Sequence, residues 1–194
     1  LTVRAGQVTV GFLPPPADGG LGSAVAFHAL NAGGASDRAG QSAVAAWRAQ
    51  AAGAQSGAEL VARAQAVVDS GTVPNGGSLP HLPASTSFAV VDRHGGAVAC
   101  SLTMDNLFGI GRVAGGTGIV MGASPKRLPP PLLTAAIASD GSRFRAAVTG
   151  SGQNDAADAV AAEMKQVLGG EKPGARPVTA DGRINAISCP AGLP

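Results

Sequence analysis

Leu82-Pro-Ala-Ser-Thr-Ser-Phe-Ala-Val-Val-Asp-Arg-His-Gly-Gly-Ala-Val-Ala-Cys-Ser-Leu-Thr-Met-Asp-Asn-Leu-Phe-Gly-Ile-Gly111 is the stretch from which the rest of the chain is read. Phe88 to Asp92 and Ala97 to Met104 are alternating runs of strand-forming residues, with Arg93-His94-Gly95-Gly96 between them as a turn. That is a hairpin pattern. Upstream, Pro80, Pro83 and the hydroxyl cluster Ser85-Thr86-Ser87 bring the chain in as an exposed, extended segment. A hydroxyl residue at the mouth of a strand, behind a Pro/Ser loop, is the arrangement that self-cleavage to an N-terminal nucleophile requires. The loop can strain the peptide bond and the strand then holds the freed terminus.

Working outward, 194 residues suffice for one sizeable core. Charged residues make up 13% and hydrophobic ones 45%, with 29 Gly and 14 Pro, which argues against both disorder and a helical bundle. The net charge of +2 comes without a Lys/Arg cluster, so a nucleic-acid partner has no electrostatic footprint. No apolar run approaches the roughly 18 residues of a membrane span. Cys100 and Cys189 show no metal-ligand spacing and are read as small buried hydrophobes rather than a disulfide. Leu1 opens the chain without Met or a leader pattern, so it is read as a fragment or a mature piece.

In chain order, Gln7 to Phe12 alternates as a strand and stops at Pro14-Pro15-Pro16. Asp18-Gly19-Gly20 leads into an apolar helix from about Ser23 to Leu30, and a second helix is predicted from Ser36 to Ala52 around Trp47. A third starts at the capping box Ser56-Gly57-Ala58-Glu59 and ends at Gly71. Residues 71–84 have the composition of an exposed linker. Beyond the central hairpin, residues 115–122 are Gly-rich and apolar, and residues 126–131 are a stiff Pro-rich piece. Leu132 to Ser139 and Ser142 to Val148 form a hairpin around Asp140-Gly141, which signals a type I′ turn. Gly150 to Asn154 turn into a helix over Asp155 to Leu168, and a last hairpin turns at Asp181-Gly182 into a strand from Ile184 to Cys189. Together these predict an α+β fold with two antiparallel sheets between helices.

The order Ser85-Thr86-Ser87-Phe88-Ala89-Val90-Val91-Asp92, then Thr103, Phe108-Gly109-Ile110-Gly111 and Val113-Ala114-Gly115-Gly116-Thr117-Gly118-Ile119, resembles the start of the small subunit of the gamma-glutamyltranspeptidase family. Pro14-Pro15-Pro16 followed by Gly19-Gly20 is similar to a segment near the end of that family's large subunit. The resemblance implies the four-layer αββα sandwich of N-terminal-nucleophile hydrolases. Residues 1–84 would then be the end of the large-subunit region with its processing linker, and 85–194 the small-subunit region of the same domain. It implies a small-molecule amide substrate, glutathione-like or another acyl amide, and the remainder of the large subunit as partner. It also implies a periplasmic or secreted setting, and neither cofactor nor metal.

Carried over residue by residue, Ser85 stands at the family nucleophile, with Thr86 competing if the register slips by one. An N-terminal nucleophile uses its own α-amine as base, so no His or Asp partner is needed. Thr103 matches a threonine that contacts the nucleophile. Asp105 stands where an asparagine helps to hold the substrate's α-amino group, although it can equally be a turn residue before Asn106. Gly150-Ser151-Gly152-Gln153-Asn154 matches the oxyanion loop, with Gln153 and Asn154 in place of two glycines. The departures are Pro130 and Pro131, which replace two serines that grip the α-carboxylate and have neither hydroxyl nor N–H. The reading is a self-processing amide hydrolase or acyltransferase. Its rivals are an acylase for a non-glutamyl group and an inactive relative serving as scaffold or binding protein.

Overall fold

A computed structural model describes residues 1–34, 37–50, 56–124, 126, 129–174, 179 and 181–193. Strands β1 (Thr2–Ala5), β2 (Val8–Phe12), β5 (Thr134–Asp140), β6 (Arg143–Ser151) and β7 (Arg183–Leu193) form one antiparallel sheet in the order β1-β2-β5-β6-β7. Among the described residues, strands β3 (Thr86–Val91) and β4 (Ala97–Leu102) pair only with each other. Both halves of the chain contribute to the larger sheet, because β2 pairs with β5 across more than a hundred residues.

Helices α1 (Gly19–Asn31), α2 (Ala39–Gln50), α3 (Gly57–Asp69) and α4 (Ala156–Leu168) lie on one side of that sheet. The period-two pattern explains how both sheet faces are buried. Val10, Phe12, Ala136, Ala138, Ala146 and Val148 point into the core shared with Leu21, Phe27, Val160 and Met164 of α1 and α4. Ala135 and Ala147 point the other way, beneath the β3–β4 hairpin, and are buried too. The result is a mixed α+β fold of three layers: helices, a five-stranded sheet and a two-stranded hairpin.

Small residues let the layers approach. Gly19 and Gly20 open α1 against the chain running beside it, where an added Cβ would lie 2.4 Å from Leu133 O and 2.0 Å from Leu13 O. Helix α1 thus begins with two glycines, four residues earlier than the apolar pattern suggests. Along α1, Ser23 Oγ lies 2.5 Å from Thr134 Oγ1 and 2.9 Å from Ala157 O, joining α1, β5 and α4 at one buried point. Arg48 closes α2 against the start of α1 through two bonds to Asp18, of 2.7 and 2.9 Å. The capping box at α3 is formed as expected, with Glu59 N donating to Ser56 Oγ and Ser56 N to Glu59 Oε2.

Several expectations are corrected. Residues 2–5 are a strand that the sequence reading passed over, since only Val3 on it is buried; Gly6, at φ 62°, turns it into β2. The β5–β6 loop is Gly141-Ser142, not Asp140-Gly141. Asp140 pairs with Arg143 and Gly141 alone is left-handed, whereas a type I′ turn needs two such residues. The last strand runs to Leu193 and pairs with β6, and no strand precedes it among the described residues of 171–182. Helix α2 spans Ala39–Gln50, while Ser36, Ala51 and Ala52 lie outside the described residues, as does much of 125–128. Cys100 and Cys189 are free and half-buried.

The outer face of the hairpin is uncovered. Phe88, Val90, Val98 and Leu102 alternate with the inward Ser87, Ala89, Ala99 and Ser101, and all four are 44–52% exposed. The chain that follows adds exposed Leu107, Phe108, Ile110, Val113 and Ile119. A contiguous apolar surface of this kind is unusual for an isolated domain. No described helix is long and apolar enough to cross a membrane.

Candidate functional site

The start of β3 is held from behind. Asn185 on β7 donates its side-chain amide to Ser87 O at 2.9 Å, and Ser87 Oγ lies 3.3 Å from the same nitrogen. Strand pairing fixes the other side, with Thr86 opposite Leu102 and Ser87 opposite Ser101. Ser85 therefore sits one residue outside a clamped strand. Its hydroxyl oxygen is buried and has no hydrogen-bond partner among the described residues. A buried, unpaired hydroxyl is costly and calls for a reason.

On the upstream side, Thr103 donates its hydroxyl to Ala84 O at 2.6 Å and accepts from Asp105 N at 2.9 Å. The carbonyl that precedes Ser85 is thus polarised by a short bond from a strand-end hydroxyl, which a turn residue in turn orients. Asp105 holds φ 56°, one of three positive-φ residues other than glycine among the described ones; Gln153, at φ 54°, is another. Both line one cleft of about 310 Å³, with His81, Leu82, Pro83, Ala84, Asn106, Leu107 and Pro129. Strained backbone concentrated around one concavity is the usual company of a working site.

A second hollow, of about 450 Å³, lies on the other side of the same peptide bond. Ser85, Thr86 and Thr103 form its polar wall, and Leu102, Met104, Leu107, Ile119 and Val120 its apolar one. Ala84, Asn106 and Leu107 belong to both hollows, so the Ala84–Ser85 bond stands on the partition between them. Among the described residues no Lys or Arg lines either hollow.

The structure thus gathers Ser85, Thr103, Asp105 and Gln153 around one bond, with Thr86 exposed at the rim of the apolar hollow. Asn154 is nearby in another role. Its side chain is spent on the linker, donating to Pro80 O (3.0 Å) and Leu79 O (3.3 Å) and accepting from Leu82 N (3.2 Å). Gln153 Nε2 lies 3.0 Å from His81 Nε2. The backbone amides of 153 and 154 open a short 3-10 turn that continues into α4, where amide groups lack intrahelical acceptors. Of the three prolines at 129–131, Pro129 lines the cleft and Pro130 and Pro131 do not.

Behind the loop, Asp158 accepts from Gly40 N (2.7 Å) and Gln41 N (3.1 Å) at the start of α2. Burial, with a smaller push from the Asp155 charge, raises its pKa to about 6 against the lowering effect of those two amides. Asp155 accepts from Gln41 Nε2 at 2.9 Å, so the pair braces α2 against α4 and lines neither hollow. Among the described residues no three His, Cys, Asp or Glu are placed to hold a metal.

Asn185, Ser42 on α2 (whose hydroxyl donates to Pro74 O and accepts from Gly76 N) and the side-chain role of Asn154 escaped sequence reading. Each acts on a backbone group at least 32 residues away, and no local pattern announces such a contact. No protein-family model matches this chain, and a search of curated proteins finds no similar one.

Proposed function

We propose that this chain is a self-processing amide hydrolase or acyltransferase of the N-terminal-nucleophile kind, akin to the gamma-glutamyltranspeptidases, with Ser85 as nucleophile. One observation carries the reading: the 2.6 Å bond from Thr103 Oγ1 to the carbonyl immediately before a buried, unpartnered Ser85 hydroxyl. In the first reaction Ser85 Oγ attacks the Ala84 carbonyl carbon. Negative charge then develops on Ala84 O, where the Thr103 hydroxyl already donates. The C–N bond breaks, the hydroxyl proton ends on the freed nitrogen, and Ala84 is left esterified to Ser85. Water opens the ester to give an Ala84 carboxylate and an N-terminal serine. Its α-amine, with a reference pKa of about 7.7–8.0, then serves as base for attack on an incoming amide. The acyl-enzyme passes its group to water or to an amine.

The surroundings favour a non-glutamyl acyl group. A glutamyl α-carboxylate would meet Asp105 and Pro129 in the cleft and, among the described residues, no Lys or Arg. The αββα sandwich belongs to the same proposal, as does a further piece of a large subunit over the bare face of the hairpin. The exposed apolar face also supports a second reading, an inactive relative that binds a partner there. Intact-mass measurement with N-terminal sequencing separates the two. Two pieces with a new terminus at Ser85, and one uncut chain for Ser85→Ala, are expected. A parent chain that stays whole favours the binding protein.

A further inference from the structure

The linker before Ser85 is fastened at two places. Near its start, Ser42 Oγ on α2 donates to Pro74 O at 2.7 Å and accepts from Gly76 N at 3.0 Å. Near its end, the single amide of Asn154 takes the three bonds already described, to Leu79 O, Pro80 O and Leu82 N. Leu79 and Leu82 are buried (9% and 1% exposed) in a small apolar cluster with Val44, Leu132, Ala156 and Ala157. Pro80 and Pro83 confine the residues before them to extended backbone, which keeps this segment straight. Downstream, Thr86 is already paired with Leu102. Only Pro83, Ala84 and Ser85 span the gap between the two fixed ends, and the bond to Thr103 falls in that span.

We propose that Asn154 is a positioning residue, a clasp that sets the linker register and so selects which carbonyl is presented to Thr103. The claim about cleavage rests on the function proposed above; the clasp itself does not. A carboxamide is the side chain for this task, because it offers donors for two carbonyls and an acceptor for one amide at once. Aspartate would keep the acceptor for Leu82 N and turn both carbonyl contacts repulsive. Alanine would remove all three. A slip of one residue would bring the Ser85 carbonyl to Thr103 and make Thr86 the attacking group.

Hydrogen exchange on the full chain in a Ser85→Ala background tests the clasp without any chemistry. Adding Asn154→Ala should speed exchange at Leu82 N by about tenfold, from the loss of its acceptor and of the two neighbouring bonds. Exchange at Val148 on β6 should stay as it was. In the Ser85 background, Asn154→Ala and Asn154→Asp should slow processing and divide the new termini between Ser85 and Thr86, and the division is an outcome that mere loss of stability would not give. Unchanged exchange at Leu82, or a single Ser85 terminus formed at the parental rate in both variants, overturns the proposal. A parent chain that never cuts defeats the function proposed above, and Leu82 exchange then decides the clasp alone. Where Asn154→Ala fails to fold, shown by fast exchange at Val148, Asn154→Asp supplies the same comparison of termini.

Discussion

Thr103→Val removes the hydroxyl and keeps the shape of the side chain, which makes it the sharpest perturbation of the site. Two bonds go: the 2.6 Å donation to Ala84 O and the 2.9 Å acceptance from Asp105 N. The first is placed where charge develops, and loss of one such donor costs about a hundredfold to a thousandfold in rate, roughly 2.7–4 kcal/mol of barrier. The second leaves a half-buried amide unbonded and costs about 1–3 kcal/mol of ground-state stability, which a melting curve reads separately. Thr103→Ser restores both bonds and should process at close to the parental rate. The assay is a time course of intact mass after synthesis of the unprocessed chain, with the three proteins compared under one condition. If Thr103→Val processes within about threefold of the parent, well short of that hundredfold loss, the carbonyl bond is structural and the chemistry proposed for it is wrong.

On the processed chain, each methylene added to a straight-chain acyl anilide should raise kcat/KM about fourfold until the apolar hollow fills, from about 0.8 kcal/mol per buried CH₂. A gamma-glutamyl anilide that outpaces the hexanoyl compound would refute this. Asp158 binds its proton more tightly in the folded state, with a pKa raised from 3.8 to about 6. Stability should therefore fall as pH rises through that window, by up to about 3 kcal/mol. Asp158→Asn should flatten the slope in urea titrations between pH 4 and 7, and an unaltered slope would show that another group governs it. Finally, Phe88→Thr with Val90→Thr on the bare hairpin face should reduce self-association in sedimentation at little cost in stability, since both side chains are about half exposed. A parent chain that is monomeric at high concentration would contradict the assumption that this face seeks a cover.

Elements with local causes were legible in the sequence. The capping box at Ser56, the turn at Arg93 to Gly96 and the apolar stripe of α3 each depend on residues within one or two turns of one another. The strand at Thr2 to Ala5 was not legible, because its alternation covers only four residues with one buried side chain, too short a run to stand out from a loop. The early start of α1 was hidden for another reason. Gly19 and Gly20 read as a loop in isolation, whereas they lie inside the helix and are glycine because Leu13 and Leu133 pass too close for any side chain. The site divides in the same way. Ser85 stands out as a hydroxyl at the mouth of a strand and Thr103 only through the family resemblance, and nothing local says that Thr103 reaches back to Ala84. Asn154 was assigned through its backbone, and its side chain proved to be the more informative part.

That division bears on how one site could serve two reactions under the proposed chemistry. The carbonyl of any later acyl group must come to lie where Ala84 O now accepts from Thr103. The linker tail must then leave that spot, but Leu79 and Leu82 are buried and tied through Asn154, so release of the whole segment is costly. Among the described residues Pro83 and Ala84 carry no such ties beyond the bond to Thr103, and two residues can swing through roughly 7 Å. Cleavage therefore needs to free only the last two residues of the tail to clear the nucleophile. The clasp would then stay closed during turnover, keeping the floor of the cleft in place while its mouth opens.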